Sequence, residues 1–127
     1  MAAGELTARQ RAELDRAIRS AEQTSRFEFS VFRGVVTGPA RAFAERLHAA
    51  LGTPERSVLV VVDPTARLLE VVTGAHVRRQ LTDEEVALAV VAMQSAFAEG
   101  DEVGGLKRGI TLLAEHAVGP RTLHSRA

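Results

Sequence analysis

The segment Ser57-Val58-Leu59-Val60-Val61-Val62-Asp63 decides the fold, because five consecutive apolar residues stand between a serine and an aspartate. An apolar run without alternation is typical of a strand that is covered on both faces. We therefore predict a strand over residues 57–62 in the middle of a sheet. Asp63 follows its carboxyl end, which is where open α/β sheets usually place ligands.

The segments on either side predict the element order αβαββαα. Alternation at Phe27, Phe29 and Val31 predicts a first strand, and residues 68–73 predict a third strand that pairs back antiparallel onto the central one. Apolar spacing predicts four helices, which begin at Thr7, at Gly38-Pro39, at Thr82 and at about Asp101. The expected fold is an α/β three-layer α/β/α sandwich with a small mixed sheet.

Local signals predict where several helices begin and end. Thr7 with Gln10, and Thr82 with Glu85, have the spacing of capping boxes. Gly52 stands where a left-handed residue is expected after the second helix. Gly105 and Gly109 lie in the last helix without the pattern of a phosphate-binding loop, which favours either close backbone packing or a loose helix start there.

Length and composition limit the classes of function. A chain of 127 residues predicts one domain over 1–127, with a core at about 7–117 and a flexible tail at 119–127. A formal net charge of zero argues against nucleic acid or an anionic membrane as partner. The absence of cysteine excludes thiolate metal sites and thiol nucleophiles. No signal peptide or spanning segment is recognisable, so we expect a cytoplasmic protein.

Several short motifs follow one another in a family-like order. The central strand is followed by Asp63 and Arg67, and then come Leu81-Thr82-Asp83, Phe97-Ala98-Glu99-Gly100-Asp101 and the glycines from Gly105 to Gly109. In this order and spacing the chain resembles the TPM domain, the family of thylakoid-lumen phosphatase-like proteins. More narrowly, it is similar to a short, stand-alone actinobacterial branch that is known only as a domain of unknown function.

The resemblance implies a Rossmann-like α/β/α sandwich, and it implies acid phosphatase activity or calcium binding in some relatives. This chain departs from the family pattern in three ways. It has no export signal or anchor, Gly74-Ala75-His76-Val77-Arg78 replaces a glycine-rich acidic motif, and Glu102 stands where an aromatic residue commonly follows. The lost acid weakens the expectation of both metal binding and phosphatase activity.

Three aspartates form the candidate metal site. They belong to an acidic set in the loops, Asp63, Asp83, Asp101 and Glu102, whose members stand at strand or helix ends that can converge on one rim of the sheet. Such a rim could hold a divalent cation, with Ca²⁺ as the candidate, because hard cations take several carboxylate or carbonyl oxygens. The alternative is structural: acids favour the first turn of a helix, and Asp63 suits a turn before proline. Arg67 is the candidate ligand-binding residue, since arginine pairs with phosphate or carboxylate.

The favoured function is a non-enzymatic binding or regulatory module, which contacts a protein partner or a divalent cation through this rim. The alternative is a weak metal-assisted acid phosphatase that uses Asp63 and Asp101, with Arg67 holding the phosphate. No catalytic residue is assigned, and the sequence leaves open whether the chain is an enzyme. The oligomeric state and the identity of any partner are equally open.

Overall fold

A computed structural model of the chain describes residues 4–118, and the tail predicted at 119–127 lies outside the described residues. The elements follow the predicted order αβαββαα. They are α1 (Ala8–Ser25), β1 (Glu28–Arg33), α2 (Ala40–Ala49), β2 (Ser57–Asp63), β3 (Leu68–Thr73), α3 (Asp83–Ala98) and α4 (Glu102–Ala117). Short 3₁₀ turns lie at Pro54–Arg56 and Val77–Arg79. None of the helices within 4–118 is long and apolar enough to cross a membrane.

The three strands form one mixed sheet in the order β1-β2-β3. β1 pairs with β2 in parallel, with Phe29 beside Val58 and Arg33 beside Val62. β2 pairs with β3 antiparallel, with Asp63 beside Leu68 and Val58 beside Thr73. The crossover helix of the parallel pair is α2, as parallel strands require a long connection.

Helices cover both faces of this sheet. Val58, Val60 and Val62 of β2 face a core that is shared with α1, α3 and α4. Leu59 and Val61 face a second, smaller core shared with α2. All seven residues of β2 are buried, as the unbroken apolar run predicts. The α/β prediction is therefore confirmed, and within residues 4–118 one helix lies on one face of the sheet and three lie on the other.

The capping predictions are confirmed in detail. Thr7 Oγ1 accepts from the Gln10 amide at 3.1 Å, and the Gln10 side chain accepts from the Thr7 amide at 2.8 Å. Thr82 and Glu85 make the same reciprocal pair at the start of α3. Each pair satisfies two amides that the helix itself leaves without a partner.

Two details of α2 differ from the prediction. Pro39 is the residue before the helix and not its first residue, and Gly52 does not take the left-handed conformation. The last turn is closed instead by amides of Ala50 and Leu51, which donate to the carbonyls of Leu47 and His48. Because these bonds already satisfy the helix end, a left-handed glycine is not needed there.

The hairpin of α3 and α4 is packed closely enough to require glycine. A Cβ at Gly105 would lie 2.9 Å from Cβ of Ala96, and a Cβ at Gly109 would lie 2.9 Å from Cε of Met93. The close packing predicted for these glycines is therefore confirmed. These contacts set the close approach of α4 to α3.

Candidate functional site

A cleft of about 450 Å³ opens at the carboxyl end of β2. We call it the β2 cleft. Its walls come from the β2–β3 turn, the end of α3 and the start of α4. Its apolar lining consists of Val62, Pro64, Leu68, Leu69, Phe97 and Ala98, and its polar side chains are Asp63, Arg67, Gln94 and Glu102. The backbone of Gly100 completes the lining.

Asp63 is the most buried polar side chain of the cleft, with 4 % of its surface exposed. Its Oδ2 accepts from the Val36 amide at 3.0 Å and its Oδ1 accepts from the Ala66 amide at 3.1 Å. Hydrogen bonds from the amides of Val36, Ala66 and Thr65 lower the pKa of the Asp63 carboxyl below its ordinary value, against the opposing effect of burial. The carboxylate thus ties the loop after β1 to the β2–β3 turn.

Arg67 is the last residue of that turn, and its side chain differs from that of Asp63 in having no partner among the described residues. Its backbone is left-handed, with φ of 59°, and its side chain is exposed at the edge of the cleft. It makes no hydrogen bond or ion pair with any other residue of 4–118. A permanent positive charge with five donors is therefore available to a ligand.

Glu102 is occupied by a neighbouring arginine. The guanidinium of Arg33, at the end of β1, donates to both carboxylate oxygens of Glu102 through Nε and Nη2. The two side chains are 18 % and 22 % exposed. The hydrogen bond to Glu102 raises the pKa of Arg33 above its ordinary value, so the guanidinium stays charged.

Asp101 lies next to the cleft in sequence but does not line it. Its Oδ1 accepts from the Gly104 amide at 3.0 Å, and this caps the start of α4. An oxygen in that position stabilises a helix start by satisfying a free amide. This is the structural role that the sequence left open as the alternative.

Asp83 lies at the far end of the molecule. It is the first residue of α3, whose last residues, Phe97 and Ala98, line the cleft. Gln94 is the first cleft-lining residue of α3 and follows Asp83 by 11 positions, so about 16 Å of helix separates Asp83 from the cleft. The structure therefore does not bring the three predicted carboxylates together. No group of three or more His, Asp or Glu side chains within 4–118 is placed to hold a metal ion.

Sequence reasoning missed the Arg33–Glu102 pair and the cleft-lining side chains of Gln94 and Phe97. A signal for Arg33 was present: it ends the strand parallel to β2, and ends of parallel strands meet at one edge of the sheet. For Gln94 no such signal exists. It is an ordinary polar residue on an exposed helix face.

Comparison with known proteins places the chain in a family. A family model described as a domain of unknown function (DUF5130) matches residues 3–114. The chain belongs to the DUF5130 family. The prediction of a domain of unknown function is confirmed in this form, whereas the resemblance to the TPM domain stays a prediction from the sequence motifs.

Two relatives of this DUF5130 chain are uncharacterised proteins of Mycobacterium tuberculosis. They are Rv2468c of strain H37Rv and MT2543 of strain CDC 1551 / Oshkosh. Each is 31 % identical to this chain over 101 residues, which is 80 % of this chain and 60 % of the relative. The chain thus spans about three fifths of the length of these relatives.

Solved structures share the fold of the DUF5130 chain. The BA42 protein of Bizionia argentinensis has a TM-score of 0.78 at 21 % identity, covering 91 % of this chain and 82 % of that one. The N-terminal domain of cg2496 of Corynebacterium glutamicum has a TM-score of 0.73 at 16 % identity, with coverage of 88 % and 74 %. At such identities the likeness concerns the fold alone.

Proposed function

We propose that this protein is a non-enzymatic binding module, and that its ligand is an anion with an apolar part that occupies the β2 cleft. The observation that carries the proposal is the charge of the Arg67 side chain, which is unpaired in the described part of the chain. It is the only charged side chain of the cleft that has no partner within 4–118, and it stands beside an apolar floor formed by Leu69 and Phe97. Few polar groups above an apolar lining are typical of ligand sites.

The other charged groups of the cleft support binding in preference to catalysis. Asp63 is buried and accepts three backbone amides, and Glu102 is paired with Arg33. An arginine does not exchange its proton near neutral pH. Among residues 4–118, none of the side chains that line the cleft belongs to His, Lys, Ser, Thr or Tyr. General acid–base or nucleophilic chemistry needs a reactive side chain within reach of a substrate, and both carboxylates of the cleft are already bound to other groups of the protein.

A divalent cation at the rim and the acid phosphatase alternative stay predictions from the sequence, as does the TPM resemblance on which they depend. The geometry gives them less support than anion binding, because the oxygens of Asp63 and Asp101 already accept amides. Calcium titration followed by thermal unfolding tests the cation. A phosphatase assay should compare the protein with Arg67→Gln and not with Asp63→Asn, because an asparagine amide would face the amides that Asp63 binds and would disturb the turn itself.

The proposed function is tested by titrating the ¹⁵N-labelled protein with 4-phenylbutyrate, a carboxylate with a phenyl group at the end of a short alkyl chain, and with its neutral amide. NMR suits this test because it detects binding with a Kd in the millimolar range, which corresponds to only about −4 kcal/mol. We expect saturable shifts of the amides at Leu69 and Phe97 with the carboxylate. An exposed ion pair contributes up to about 1 kcal/mol, so Arg67→Gln should weaken binding up to about fivefold.

Arg19→Gln is the matched control. Arg19 is exposed on α1, lies outside the cleft lining and has no partner within the described residues, so the variant makes the same change of charge elsewhere. It should bind 4-phenylbutyrate like the unaltered protein. Equal weakening by both variants, or equal binding of the carboxylate and the amide, would contradict the role of Arg67.

A further inference from the structure

The outer edge of β3 borders the β2 cleft, and the pairing with β2 fixes which peptide groups face outward. The Gly74 amide donates to the Ser57 carbonyl at 3.0 Å, and this sets the alternation of the antiparallel ladder. Leu69, Val71 and Thr73 lie at its non-hydrogen-bonded positions, opposite Val62, Val60 and Val58. Their N–H and C=O groups therefore point away from the sheet.

Arginines cover this edge at two of the three positions. Arg41 Nη1 donates to the Val71 carbonyl at 2.7 Å, and Arg78 Nη1 donates to the Thr73 carbonyl. Charged side chains laid across an edge strand are a common protection against pairing with another chain. No side chain of residues 4–118 covers the Leu69 carbonyl in this way.

The uncovered position is also the one that lines the cleft. Leu69 contributes to the apolar lining together with Phe97, and Arg67 stands two residues before it. An open strand edge, an apolar hollow and a free cation thus lie side by side. Each matches one part of a peptide end: its main chain, its last apolar side chain and its terminal carboxylate.

We propose that the β2 cleft binds the C-terminal end of an extended peptide with an apolar last residue, which pairs with Leu69 as a short antiparallel strand. The antiparallel direction follows from the positions of the groups, because Arg67 precedes β3 and must meet the peptide's carboxyl end. Two residues span about 7 Å along a strand, which is within reach of an arginine side chain. Pairing beyond Leu69 is limited, since Arg41 already occupies the Val71 carbonyl. This inference rests on the proposed function and specifies the ligand of the same site.

The test uses the ¹⁵N-labelled full chain and N-acetylated pentapeptides of alternating threonine and valine that end in leucine, valine or phenylalanine. Each is made with a free carboxylate and with a carboxamide, and is titrated to about 5 mM, the range in which contacts of this size are measurable. The free acids should bind saturably, move the Leu69 amide resonance downfield and slow its exchange with solvent. The carboxamide and Arg67→Gln should each weaken binding about fivefold, and Arg19→Gln should not.

Strand pairing is tested on the peptide, which leaves the protein's fold intact. N-methylation of the peptide removes one backbone N–H donor at a time. Methylation of the residue that pairs with Leu69 should abolish binding, because its N–H donates to the Leu69 carbonyl. Methylation of the neighbouring residues should be tolerated. The inference is overturned if no methylated position matters, if acid and carboxamide bind alike, or if none of the peptides binds. Arg67-dependent binding of 4-phenylbutyrate without peptide binding would leave the proposed function standing alone. If neither 4-phenylbutyrate nor any of the peptides binds, both the proposed function and this inference are refuted.

Discussion

Gly109 lies where α4 packs closely on α3. Its replacement by alanine has two opposing effects on the free energy of unfolding, and the size of each is known. Alanine in a helix interior is favoured over glycine by about 1 kcal/mol. A Cβ at this position would, however, lie 2.9 Å from Cε of Met93 and closer still to its Sδ and Cγ. Met93 is fully buried, so its side chain cannot move aside without disturbing the core.

Overpacking of this kind costs about 1–3 kcal/mol, so we expect Gly109→Ala to lower the free energy of unfolding by up to about 2 kcal/mol after the helix preference is subtracted. Met93→Ala alone should cost about 2–5 kcal/mol through the cavity it leaves. In that background the steric conflict is gone, and Gly109→Ala should now stabilise by about 1 kcal/mol. The pair should therefore show a coupling energy of about 1–3 kcal/mol.

The assay is urea unfolding followed by far-UV circular dichroism, because the chain contains no tryptophan or tyrosine. Gly52→Ala is the control: a Cβ there meets nothing within 4 Å, and the change should stay within about 0.5 kcal/mol. If Gly109→Ala stabilises the protein while Met93 is present, or if the two changes are additive, the expected steric conflict between the new Cβ and Met93 is refuted.

Four further outcomes can be checked by the same unfolding assay. Gly74→Ala should cost more than about 3 kcal/mol, because its Cβ would overlap the Pro54 carbonyl oxygen and neither backbone can rotate away. Thr82→Ala should cost about 1 kcal/mol through loss of the α3 cap. The lowered pKa of Asp63 means that its stabilising effect is complete above about pH 4 and is lost as pH falls through that pKa; Asp63→Asn should flatten the pH dependence of the urea midpoint there. Arg67→Gly should raise the free energy of unfolding by about 1 kcal/mol, because the φ of 59° at this position suits glycine better than arginine. The same change should weaken the binding of any ligand that contacts the Arg67 side chain.

The fold was predictable from the sequence where a residue pattern has a single structural interpretation. The unbroken run from Val58 to Val62 predicts burial on both faces, and the structure buries the whole of β2. The Thr82–Glu85 spacing predicts a reciprocal cap that is present. Left-handed residues were not predictable in this way: Gly52 has the right sequence context but a different conformation, whereas Arg67 adopts φ of 59° without a glycine signal. Turn conformation depends on the hydrogen bonds that the surrounding chain supplies.

The candidate site was predictable only as far as topology was followed. Asp63 and Arg67 line the cleft, as expected from the end of a central strand. Asp83 does not, and the predicted hairpin already implied this: an antiparallel β3 returns the chain to the other end of the sheet, so α3 begins there and finishes at the cleft. The pairing of Arg33 with Glu102 spans 69 positions of the chain and depends on side-chain packing that no local pattern specifies.

The polar residues that most resemble a reactive site are the ones that hold the backbone together. Asp63 joins two loops, Asp101 caps α4 and Glu102 binds Arg33, so each of these acids already has its partner. Arg67 is the reverse case. It occupies a left-handed turn position where glycine is the default residue, at a cost of about 1 kcal/mol, and its side chain contributes no hydrogen bond to the fold of residues 4–118. The anionic ligand that we propose should therefore be sought at Arg67, whose charge has no partner within residues 4–118, and not among these acids, which already have partners.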